Sequence, residues 1–172
     1  MSKLTRHSRM SSQSRRSVRT ATALGTVALG LVALSACDKP TPMVTAAVNG
    51  DSVSTEAACY DDGKAIPEKE VRSCLEKKAE ETVSVGTGDK LRIGVEPETA
   101  DSGWLVLVDG KPALPDAVKK TYYSFPGEAF FQQQSATGQP AGAKKSVQVS
   151  VVETSGGDFK GIWHFHLKNS DG

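Results

Sequence analysis

A chain of 172 residues with 21 Lys and Arg against 20 Asp and Glu is long enough for one domain with a modest core, and short for two. Its formal charge of +1 hides an asymmetry. Lys3, Arg6, Arg9, Arg15, Arg16 and Arg19 all precede the first acid, Asp38, so from residue 37 onward 15 bases face 20 acids and the net charge is −5 with His neutral. That excludes the basic surface which nucleic acid phosphates require, and no nucleic acid partner is expected.

The basic start runs into an uncharged stretch, residues 21–36, which closes on Leu34, Ser35, Ala36 and Cys37. This is the three-part layout of an export signal, too short and wrongly flanked for a membrane-spanning helix. A buried core helix would need a polar face, and the stretch has none. The tetrapeptide resembles the lipobox of bacterial lipoproteins, an aliphatic residue and two small residues before an invariant cysteine. The resemblance implies cleavage between Ala36 and Cys37, removal of residues 1–36 as a signal peptide, and a diacylglycerol on the Cys37 thiol. The membrane would then be the first partner, with the domain lipid-anchored on the extracytoplasmic face. Secretion without lipid after cleavage at Ala36 is the rival. Ser14-Arg15-Arg16-Ser17-Val18 resembles a twin-arginine signal but departs from it at Val18 and Arg19, which leaves the export route open.

Processing of this kind would leave 136 of the 172 residues. Cys59 and Cys74 remain as an even pair in an oxidising compartment and are expected to form a disulfide, closing a loop worth roughly 3 kcal/mol. A redox or metal pair would need C-x-x-C spacing or further ligands, neither of which is present. Residues 37–42 contain two prolines and read as an extended tether that holds the domain, residues 43–172, close to the bilayer.

The periodicity after the tether is that of strands. Residues 43–48 are β-friendly, Asn49-Gly50 signals a hairpin, and Val53, Thr55, Ala57 and Cys59 alternate up to the first half-cystine. Asp61-Asp62-Gly63 turns the chain. Within the charged residues 67–81, Val71, Cys74 and Leu75 have helical spacing and predict one short helix. Gly86-Thr87-Gly88-Asp89 precedes the alternating Leu91, Ile93 and Val95. Trp104 to Val108 is continuously apolar and is the candidate central strand, ended by Asp109-Gly110. Tyr122, Tyr123 and Phe125 make another strand, followed by Phe130 and Phe131, and residues 135–145 read as an exposed loop. Val147, Val149 and Val151, the turn Ser155-Gly156-Gly157-Asp158, and Trp163, Phe165 and Leu167 close the chain as two strands. About eight strands with at most one short helix predict an antiparallel, immunoglobulin-like β-sandwich of two layers, with a partly closed barrel as the alternative.

Several of these segments together resemble small actinobacterial lipoproteins that carry a domain of unknown function. The matching stretches are Ala58-Cys59-Tyr60-Asp61 with Cys74, Gly88-Asp89-Lys90-Leu91-Arg92-Ile93, Trp104-Leu105-Val106-Leu107-Val108, and Trp163 to Leu167. The resemblance implies a surface location and a sandwich fold, and it brings no catalytic residues.

His164 and His166 stand two apart on a strand, so both imidazoles share a face and could approach a metal. Two ligands fall short of a closed site, and the competing expectation is a solvated face opposite a core of Trp163, Phe165 and Leu167. Glu96, Glu98 and Asp101 read as solvated loop charge. The chain has no G-x-S-x-G elbow and no S-x-x-K, and Gly86-Thr87-Gly88 lacks the Gly-Lys-Ser/Thr of a phosphate loop. The expected function is that of a non-enzymatic interaction or accessory module of the cell envelope, with an envelope protein as a further partner and no cofactor. The alternative is a small-molecule or metal-binding protein using the His164/His166 face.

Overall fold

The computed structural model describes residues 40–134 and 140–172, which belong to one compact unit, Lys39–Gly172. Ala36 and Cys37 of the predicted lipobox, the predicted signal and the first part of the predicted tether lie outside the described residues.

The first sheet begins with the Asn49-Gly50 hairpin. Strands β1 (Val44–Val48) and β2 (Asp51–Thr55) pair antiparallel, with Val48 opposite Asp51. Asn49 (φ 53°) and Gly50 (φ 96°) both take the left-handed conformation that a two-residue hairpin of this twist demands. On the other side of β1 lies β5 (Lys90–Val95), and beyond it β8 (Tyr122–Pro126), in the order β2-β1-β5-β8. The alternation of Leu91, Ile93 and Val95 is as predicted: all three face inward, while Lys90 and Arg92 are exposed.

The second sheet is larger. Strand β12 (Asp158–Asn169) pairs antiparallel with β11 (Ser146–Ser155), which pairs with β6 (Trp104–Val108), which in turn holds the short β7 (Lys111–Pro112). The outer edge of β12 is shared by two pieces. Strand β3 (Cys59–Tyr60) pairs with Gly161 and Ile162, and β4 (Glu81–Val85) pairs parallel with Phe165 to Asn169. A two-stranded ribbon of β9 (Gln132–Gln134) and β10 (Pro140–Ala143) completes the described strands.

The sandwich fold class is thus present, with corrections in detail. Cys59 does not end the first hairpin: the chain leaves that sheet after Thr55 and crosses to the edge of β12. Strand β6 is not central, because β11 and β12 occupy the middle and β6 has only β7 beyond it. The predicted exposed loop at 135–145 contains β10, while 135–139 lie outside the described residues. Glu98 and Asp101 belong to a short helix, α2 (Pro97–Ser102), with Glu96 as its N-cap, so the described residues hold two α-helices where at most one was expected.

The two sheets enclose one core built from Val44, Ala46, Leu91, Ile93 and Phe125 on one side and Trp104, Val106, Val149, Val151, Trp163, Phe165 and Leu167 on the other. A second, smaller cluster lies on the far side of the second sheet. Helix α1 (Glu68–Leu75) lays Val71, Cys74 and Leu75 over Ile66, Leu107, Val152 and Ile162. Glu68 and Glu70 in its first turn suit the positive end of the helix dipole, and Arg72 and Glu76 pair four residues apart. At eight residues α1 is too short to be stable alone, and the Cys59–Cys74 disulfide joins it to β3 at the sheet edge. The helix forms a partial third layer.

Candidate functional site

The histidine pair divides on folding. His164 falls at the break between β3 and β4 on the edge of β12, beneath the end of α1, and is 2% exposed, contrary to the expected solvated face. His166 is half-buried. The hairpin register sets His164 opposite Ser150 and His166 opposite Gln148. His164 Nε2 lies 2.9 Å from the Cys74 carbonyl oxygen, which can only accept, so Nε2 carries the proton and donates it. Nδ1 is left to accept, from the Ser150 hydroxyl at 2.9 Å and from the Gln148 amide at 3.5 Å. The same amide donates to the Lys77 carbonyl at 2.9 Å.

Burial is the main force that lowers the His164 pKa. The Cys74 carbonyl works the other way, and the nearby Lys77 ammonium lowers it further. The ring is therefore a neutral, fully engaged spacer between sheet and helix. Its only lone pair, on Nδ1, is shared by Ser150 and Gln148, which leaves no free ring atom for a cation. Among the described residues no group of three or more His, Cys, Asp or Glu side chains is placed to hold a metal ion. In sequence Ser150 and Gln148 are simply the polar residues between Val147, Val149 and Val151; counting back from the Ser155-Gly156-Gly157-Asp158 turn would set them opposite Trp163 and Phe165, and an irregularity between Glu153 and Thr154 shifts the register by one and brings them onto the histidines.

The predicted disulfide is formed, with the two Cα atoms 5.9 Å apart. Cys74 therefore anchors α1 twice, through its sulfur to β3 and through its carbonyl to His164.

A groove of about 660 Å³ lies on the flank where β8 faces β6 and β7. Phe125, Phe130, Val108, Pro112, Ala113 and Ala129 form its apolar wall. Asp109 and Lys144 pair at its rim, 2.5 Å apart, and Asp109 also accepts the Gln148 backbone N–H at 2.9 Å. Partial burial opposes the Asp109 charge, but the Lys144 and Gln148 hydrogen bonds outweigh it and hold the carboxyl below its ordinary value. Phe130 and Phe131 are buried, whereas Tyr122 is 58% exposed, so the aromatic cluster seen in the sequence splits between core and surface.

The Gly86-Thr87-Gly88-Asp89 turn is a structural knot. Asp89 accepts from the Gly86 backbone and from the Asn49 side chain, each at 2.7 Å, and the Thr87 N–H donates to Asp171. The Asn49 amide and then the Gly86 N–H lower the Asp89 pKa, and contacts with Thr87 lower that of Asp171. These carboxylates hold together the end of the sandwich where the β1–β2 hairpin turns.

No family model matches the chain, and no curated protein matches it. Among solved structures, the fibronectin(III)-like modules of Clostridium thermocellum CbhA are similar over 55% of this chain and 91% of that one, at 14% identity and a TM-score of 0.35. The resemblance to small actinobacterial lipoproteins stands on the sequence motifs alone.

Proposed function

We propose that this protein is a lipid-anchored, non-enzymatic accessory module of the cell envelope, held on the extracytoplasmic face of the membrane by a diacylglycerol on Cys37. The observation that carries the reading is the Leu34-Ser35-Ala36-Cys37 sequence at the end of an uncharged run, with a folded domain beginning a few residues later. Pro42 is already buried, and its carbonyl accepts the Trp163 indole N–H at 2.8 Å, so the leash between thiol and sandwich is very short. Two acyl chains at roughly 0.8 kcal/mol per buried methylene anchor such a domain without help from its charge.

The chemistry of the described residues supports a structural and interactive role. The buried histidine is consumed by hydrogen bonds, and Glu98 and Asp101 lie on α2 with Glu96 at its N-cap. Fatty-acid labelling of wild type and Cys37→Ser tests the anchor: wild type should carry label and sediment with membranes, and C37S should lose both. An unlabelled wild-type chain overturns the reading. The partner is sought by crosslinking in intact envelopes, where failure to enrich any envelope protein counts against an interaction module.

A further inference from the structure

The place where the chain leaves the core decides which end of the sandwich can meet the bilayer. Trp163, wholly buried, holds Pro42 at the start of β1. Cys37 precedes Pro42 by five residues, which span at most about 18 Å when fully extended. A five-residue strand is itself about 17 Å long, so even a fully extended leash only matches the length of β1, and the pole at the start of β1 is the one closest to the point where the leash is fastened.

The pole at the start of β1 also contains α2, the start of β6, residues 118–121 and the start of β8. The exposed large hydrophobics among the described residues are Met43, 40% exposed, and Tyr122, 58% exposed, and both stand at this pole. Register places them on one surface: Thr45 is opposite Gly94, Gly94 is opposite Tyr122, and Met43 lies one two-residue step beyond Thr45 on the outer side of the sheet. Arg92 stacks over the Tyr122 ring at 5.6 Å from its centroid. Exposed Lys119 and Lys120 precede it on a backbone held rigid by three bonds of 2.8 Å: Val118 N–H to the Trp104 carbonyl, Trp104 Nε1–H to the Lys120 carbonyl, and Val95 N–H to the Thr121 carbonyl.

We propose that this pole rests on the phospholipid surface, with Met43 and Tyr122 at the level of the headgroups and Lys119, Lys120 and Arg92 reaching their phosphates. The proposal rests on the lipid-anchor reading above. Tyr, Met and long cations are side chains that place an apolar body in the interface and a polar end in water. Glu96, Glu98 and Asp101 share the pole and oppose an anionic surface, so the contact is weak alone. The anchor removes that limit, because a short leash raises the effective concentration of the pole at the membrane. The groove beside Phe125 and Phe130 then stays clear of the bilayer, toward the opposite pole.

The test uses the native lipidated protein, purified from membranes and reconstituted into protein-free vesicles of mixed zwitterionic and anionic phospholipids. A membrane-impermeant acylating reagent is applied and lysine modification followed by mass spectrometry, beside a Met43→Ser, Tyr122→Ser double variant whose changes are confined to exposed positions. Lys119 and Lys120 should react several-fold more slowly than Lys145 and Lys168, and that protection should disappear in the double variant while flotation with the vesicles is kept. Flotation with equal reactivity in wild type and variant overturns the pole contact and leaves the anchor standing. A chain that carries no lipid and does not float overturns both. Protection seen in native envelopes but absent in vesicles assigns the pole to a protein partner and overturns the proposal.

Discussion

His164 shows how a single side chain can tie two layers together and set a pH limit. Its folded pKa is lowered, chiefly by burial, so the unfolded chain takes up a proton first as pH falls. Stability is then full above the ordinary histidine value of about 6.5, declines as pH drops below it, and levels off once the folded pKa is passed. Urea unfolding at pH 7 and pH 5 should show this loss in wild type and a much flatter response in His164→Gln, which keeps a donor for the Cys74 carbonyl. Asp89, Asp109 and Asp171 act in a separate, more acidic window. Their folded pKa values are lowered, so their contribution is present above the ordinary aspartate value and is lost as pH falls through the folded one. Gly161 is a second residue-scale constraint. A Cβ there would lie 2.3 Å from the Trp163 ring, which is locked in the core. Gly161→Ala should cost about 1–3 kcal/mol, measured by denaturant unfolding.

At the scale of elements, α1 is the part that depends most on its attachments. It is short, its apolar stripe is three residues wide, and the disulfide and the His164 contact both converge on Cys74. Replacing Cys59 and Cys74 by Ser should remove roughly 3 kcal/mol. Hydrogen exchange in that variant should rise first in α1, before β11 and β12 open. The start of β1 has a comparable fastening. Trp163→Phe keeps the ring in the core but deletes the donor to Pro42, so about 1 kcal/mol should be lost and residues 40–43 should become a protease target. Among the elements the sequence announced, those with a long alternating stretch are β5, β11 and β12, which carry three or more inward residues each. Strand β4 escaped notice because only Val83 and Val85 mark it and its partner residues in β12 lie 84 positions away and run parallel to it.

For the whole molecule, the arrangement is a sandwich with a guarded face. One sheet shows water Ser52, Ser54, Lys90 and Arg92, while the other is covered by α1 and the disulfide. This explains why the closing strands look amphipathic in sequence yet are buried on both sides: the His164 face is polar in composition but packs against helix carbonyls. Alternation reports which residues share a face, and it does not report what that face meets.

The chain by itself determined its cysteine pairing and its β-sandwich class, because each depends on residues near in sequence or on a count: an even pair of thiols, and apolar residues at every second position. Tertiary structure alone decided that His164 is a satisfied core residue, that β4 threads in parallel beside β12, and that Met43 and Tyr122 stand together at the pole where β1 starts. Those facts are set by pairing register and by which elements stack on which, and no spacing along the chain encodes the distance between residues that folding brings together.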